Sequence, residues 1–202
     1  DTHSETWNGS NFSESWFNDI SWLMDMATGY GDYFYAVRNS QILKMEKATG
    51  IINEQISRTS ISELPDAGIR ACALDEFNSI LYLGFANGHI AGVDENNLNN
   101  VIFTLDLDNN AIHQIYFHPD YQPLALTENA ELYRFENEGE SSTLLQNFSG
   151  SLINRGDSVP TGETDVRKWG AMHPEGDRIV FINDDGQIIM YNHVDEIGEW
   201  TT

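Results

Sequence analysis

The chain has a single cysteine, Cys72, in 202 residues, so it can form no internal disulfide. Cys72 lies in the apolar run ACAL and reads as an inert core thiol. Basic residues are also scarce: 10 Lys and Arg stand against 32 Asp and Glu, a net charge of -22. Such a surface repels phosphate backbones, so no nucleic acid partner is expected and anionic membrane is a poor one. It suits cations, a basic protein partner, or simply solubility. No stretch approaches the roughly 20 apolar residues of a membrane-spanning helix, so no membrane span is expected. No long segment keeps a 3.6-residue period. Phosphate loops are missing too. Gly29-Tyr30-Gly31 opens like a dinucleotide fingerprint, but Phe34 stands where the third glycine belongs. There is no G-x-S-x-G elbow, the only Cys is alone, and no His pair sits at i, i+4. Catalytic residues: none are expected, and no cofactor-binding residue either.

What is present is a repeat. Hydrophobic residues make up 40% of the chain and aromatics 11%, enough to build a core. Four segments align: YFYAVRNSQILKME from Tyr33, SILYLGFANGHIAGVD from Ser79, QPLALTENAELYRFE from Gln122 and DRIVFINDDGQIIMYN from Asp177. Each has an apolar strand, a small or polar turn, and a second strand with apolar residues three apart. Those pairs are Ile42 and Met45, Ile90 and Val93, Leu132 and Phe135, and Ile188 and Tyr191. Upstream, SWLMDMA, IRACAL, IHQIYF and VRKWGAM supply a strand before each pair. Downstream, IINEQI, VIFTLDL and STLLQNF supply one after. Asn87-Gly88 and Asp185-Gly186 are hairpin turns between apolar strands, and Asn129-Ala130 takes that place in the third copy. Four short antiparallel strands in about 40–50 residues form one propeller blade.

The expected fold is therefore all-β, a β-propeller of about four four-stranded antiparallel blades. It is either a small closed ring or part of a larger propeller. The blades fall at about 21–65, 66–108, 109–150 and 166–202. Residues 1–20 are polar with spaced aromatics and can serve as a closing strand. Residues 137–165 form a loop insertion, the kind of excursion that often carries function. If the ring is incomplete, self-association would complete it.

Particular blades resemble known families. YLGFANGHIAGVDENN and AVRNSQILKMEKATG, with its Thr49-Gly50 turn, resemble the repeats of quinoprotein-type propellers. FHPDYQPLALTENAELYRFE resembles a WD-repeat blade, and HPEGDRIVFINDDGQIIMYN is similar to the blades of translocation-type propellers. These likenesses cover about residues 20–200. They imply the propeller architecture and no family's active site. The docking tryptophan of the quinoprotein repeat and the Gly-His and Trp-Asp signatures of WD repeats are missing.

Few residues suggest a site. His118 and His173 each precede a proline at the same blade position, which reads as a turn device. Asp106, Asp108 and Asn110 copy the first three ligand positions of a calcium loop, but Ala111 and Phe117 replace its glycine and its bidentate glutamate. Asn183, Asp184 and Asp185 are a second acidic cluster, read as a hairpin turn. Arg155-Gly156-Asp157 spells the integrin-binding tripeptide and is a candidate partner contact. Three glycosylation acceptor patterns, at Asn8, Asn11 and Asn147, favour a secreted or periplasmic home. The chain starts at Asp1 without a signal peptide, as a processed form or an excised fragment would. The leading expectation is a non-enzymatic scaffold for protein–protein interaction, with an acidic surface facing a basic partner or cations. One alternative is a domain or fragment of a quinoprotein- or hydrolase-type propeller enzyme. Another is an extracellular adhesion or filament subunit with calcium-stabilised loops.

Overall fold

A computed structural model describes residues 6–7, 12–13, 23–107, 110–136, 138–148, 170–182 and 188–201. Two short strands, β1 (Thr6–Trp7) and β2 (Phe12–Ser13), pair with each other in a sheet of their own. The other sixteen form four antiparallel sheets. The first holds β3 (Asp25–Thr28), β4 (Tyr33–Arg38), β5 (Gln41–Glu46) and β6 (Ile52–Ser57). The second holds β7 (Ile69–Asp75), β8 (Ile80–Phe85), β9 (His89–Asp94) and β10 (Asn97–Asp106). The third holds β11 (Ile112–Tyr116), β12 (Leu124–Thr127), β13 (Glu131–Phe135) and β14 (Ser142–Asn147). The fourth holds β15 (Gly170–Met172), β16 (Arg178–Ile182), β17 (Ile188–Asn192) and β18 (Ile197–Thr201). Each sheet is a meander in chain order, and the four are arranged as the blades of a β-propeller. Each blade's outer strand comes from its own stretch of chain. In the fourth this is β18, paired from Asn192↔Ile197 to Ile188↔Thr201.

The apolar residues three apart explain the blades physically. An odd separation along a strand points two side chains to opposite faces of the sheet. Both are buried only when both faces are covered. Ile42, Met45, Ile90, Val93 and Leu132 are all fully buried. Tyr82 shows the packing between blades: it meets Phe135 of the next blade edge-on at 5.6 Å. Phe148 packs against Phe181 and Tyr191 at 5.1 and 5.4 Å across the third seam. Each fully buried side chain of this size contributes roughly 1.5–3 kcal/mol. The fourth blade departs from the rule. Tyr191 is buried against the third blade, whereas Ile188, on the opposite face, is 41% exposed.

The inner strands converge. β7 lies beside both β3 and β11. A Cβ on Gly170 of β15 would come within 2.4 Å of the Tyr116 hydroxyl on β11. The turns also follow their residues. Gly88 closes the β8–β9 hairpin with φ 87°, and Ala130 takes φ 64° at the matching place in the third blade. That left-handed conformation is costly for alanine; its methyl is buried among the apolar residues of the third seam.

Candidate functional site

A four-stranded meander puts its first and third turns at one end and its second turn and exit at the other. Contacts between blades confirm a shared end. The Glu76 carboxylate, in the β7–β8 turn, accepts the backbone N–H groups of Tyr30, in the β3–β4 turn, and of Gly31 at 2.6 Å. A Cβ on Gly176, in the β15–β16 turn, would stand 2.2 Å from the His118 ring in the β11–β12 turn. Exposed acids gather at this end: Asp32, Asp120, Glu138, Glu140, Glu175, Asp195 and Glu196. The basic residues nearby are engaged internally. Lys44 bonds the Glu95 carbonyl at 3.2 Å, Arg134 pairs with Glu196 at 3.4 Å, and Lys47 reaches the Gly29 carbonyl. Large apolar tips stand among the acids. Tyr30 is 95% exposed, Phe77 71% and Ile51 58%.

A histidine cluster occupies the same end, at the seam of the third and fourth blades. His118 and His173 use one device: Nδ1 accepts the N–H of Asp120 or of Glu175, each at 3.3 Å. This is the turn role expected of the two His-Pro pairs. Tyr121 links His118, at 5.7 Å, to His193, which it meets edge-on at 5.3 Å. His193 is 1% exposed, its Nε2 donates to the Gly176 carbonyl at 2.6 Å, and its buried Nδ1 has no partner. Burial, with Arg134 and His118 near, pushes its pKa below the ordinary 6.5, only partly opposed by the Gly176 bond and Asp177. His173, Glu175 and Asp177 bring ligand-type atoms within 4.8 Å of one another. A guanidinium already lies against the two carboxylates. Arg178 Nε donates to Asp177 at 2.9 and 3.1 Å, and Nη2 donates to Glu175 at 3.2 Å. A metal ion there would have to displace that internal cation.

The inner strands carry a third grouping. Asp25 on β3 accepts the Cys72 N–H at 2.9 Å and the Met26 N–H at 2.8 Å. Burial raises the Asp25 pKa despite these two bonds. Cys72 is 4% exposed, and burial with the neighbouring Asp25 pushes its thiol well up, which keeps it protonated and inert. The Tyr116 hydroxyl donates to Gln114 at 2.8 Å.

Two of the three calcium-loop candidates lie among the described residues, each with other partners. Asp106, at the end of β10, faces His89 Nδ1 at 3.7 Å. Asn110 turns to the third blade: its Oδ1 accepts from Asn129 at 2.6 Å and its Nδ2 donates to Glu131 at 3.2 Å. Asp108 lies outside the described residues, as do Arg155, Gly156 and Asp157, the cluster Asn183 to Asp185, and Gly186. Sequence reasoning did not find the Tyr30–Glu76–Phe77 arrangement or His193. One signal existed: an aromatic residue between two glycines in a turn, set aside as an imperfect dinucleotide fingerprint. Comparison with protein-family models gives no match, and comparison with curated proteins gives none either.

Proposed function

We propose that the chain is a non-enzymatic β-propeller scaffold for protein–protein interaction, whose acidic surface recruits a basic partner or cations. The observation that carries this reading is the turn end. There the first, third and fourth blades contribute exposed carboxylates and the second adds the half-exposed Glu76 and Glu95, while Lys44, Arg134 and Arg178 are held in internal bonds. Charge of one sign on one face steers an oppositely charged partner and speeds its encounter. The β13–β14 turn adds Glu138 and Glu140 to this end; of the expected 137–165 excursion, Ser142–Asn147 is the outer strand of the third blade, and 149–165 lie outside the described residues. An enzymatic reading would draw on the inner strands. There Asp25 and Tyr116 are bonded to their neighbours, which favours support over chemistry.

Fluorescence anisotropy tests the reading with a labelled Arg/Leu peptide and a control carrying Glu for Arg. The expected result is binding of the basic peptide only, weakening as salt rises through the range where exposed charges are screened. Equal binding of the two peptides, or of neither, would overturn the proposal.

A further inference from the structure

Tyr30 and Phe77 are 95% and 71% exposed and sit in neighbouring turns of two different blades. Singly exposed apolar residues are ordinary on protein surfaces. These two are joined through Glu76. Its carboxylate holds the backbone of Tyr30 and Gly31, and its chain neighbour is Phe77. A Cβ on Gly29 would fall 2.0 Å from the Glu76 carboxyl carbon, so the loop is glycine where the carboxylate presses on it. Lys47 pins the same loop by bonding the Gly29 carbonyl. Two N–H donors hold the Glu76 pKa below the ordinary carboxylate value, so the strap stays charged. The aromatics are therefore presented on a braced platform, which reduces the ordering cost of binding.

The surroundings select the occupant. Asp32 beside Tyr30 is exposed, and Glu46, Glu76 and Glu95 are half-exposed at this end. An aromatic face within a negative field suits a cation, above all a guanidinium, which stacks on the ring while its N–H groups reach carboxylates. Resting on the scaffold reading above, we infer that Tyr30 and Phe77 form the docking point for a basic peptide segment, with arginine stacked on the rings beside an apolar side chain.

The test uses the whole chain and a fluorescein-labelled nonapeptide alternating Arg and Leu, read by anisotropy at low salt. Tyr30→Ser with Phe77→Ser removes the rings at exposed positions, and Ile102→Ser, 45% exposed on β10, is the control. The expected result is at least tenfold weaker binding for the double variant, with its melting temperature unchanged. The control should bind like the parent. A lysine-for-arginine peptide should lose affinity for the parent but little for the double variant. If the double variant binds as the parent does, this inference fails while the acidic-scaffold reading stands. If the parent binds no basic peptide at all, the scaffold reading fails first.

Discussion

Replacing Gly84 by alanine probes the contact between the second and third blades. Gly84 is buried on β8, between its pairing partners Ala71 and Ile90. A Cβ there would stand 2.5 Å from Cγ2 of Ile112, 2.8 Å from that residue's Cβ and 3.3 Å from Ala71 Cβ. Carbon atoms rest at about 3.5–4.0 Å, so β11 must retreat by about 1 Å or Ile112 must leave its rotamer. Overpacking of this kind costs roughly 1–3 kcal/mol. Removing a glycine from a strand interior returns about 0.5–1 kcal/mol. The steric cost wins, leaving a net loss of about 1–2 kcal/mol. For a chain of this length each kcal/mol shifts the melting temperature by about 2–4 °C, so a fall of roughly 2–8 °C is expected. Ile112→Ala alone should cost about 2–5 kcal/mol through the cavity it leaves. Combined, the two substitutions should cost less than their sum, by about 1 kcal/mol, because the shortened side chain makes room for the new methyl. Thermal and urea unfolding of the four proteins completes the cycle. A Gly84→Ala variant as stable as the parent, with strictly additive costs in the double variant, would refute the packing of β8 on Ile112.

Three further outcomes are expected. Stability should decline as pH falls below about 6.5, the ordinary histidine value. The depressed His193 pKa means the unfolded chain binds the proton first. The native advantage is therefore complete above that value and lost as pH drops toward the folded pKa. Melting temperatures from pH 8 to 5 check this, and a His193→Gln variant with the same slope as the parent would count against it. Cys72 should resist a thiol reagent in the native chain and react promptly in denaturant, since burial both shields the sulfur and keeps it protonated. Rapid native labelling would contradict that placement. Added salt should raise the melting temperature by screening a net charge of -22, with calcium and magnesium equivalent at equal ionic strength. A saturable, calcium-specific rise would instead support the Asp106–Asn110 loop as a cation site.

The blades were legible because their pattern has one physical meaning. Apolar residues at positions such as Ile90 and Val93 face opposite ways on a strand, so the sequence itself reports a sheet covered on both sides. The Asn87-Gly88 turn was equally direct, since the left-handed φ at Gly88 is what that pair permits. Ile188 looked like Ile90 but is 41% exposed, because a strand pattern cannot say whether a neighbour arrives to cover the second face. The site was less legible for a related reason. Glu76 meets Tyr30 from 46 positions away, and His193 reaches Gly176 from 17 positions away. Neither contact leaves a periodic trace. Asn110 shows the converse: the local motif resembles the start of a calcium loop, and nothing in it reports that the Asn110 Oδ1 accepts from Asn129 in the next hairpin.

These observations bear on where such a fold can place function. Two-sided burial consumes the strand interiors: β8 is buried at every position from Ile80 to Phe85. A charge in those strands would need a buried partner, and unpaired burial is prohibitive. An excess of carboxylates over cations cannot be paired off, so most of it is driven to turns and outer strands, Asp25 and Asp75 on inner strands being exceptions. The turn ends are then both the acidic surface and places where successive blades bring unlike residues together. The Tyr30–Glu76–Phe77 platform and the His118–Tyr121–His193 seam are two products of that constraint, one open and one buried. The open platform has free aromatic faces and can meet a partner. The buried seam has an unpartnered imidazole nitrogen, whose protonation costs stability, so the fold is expected to weaken as pH falls.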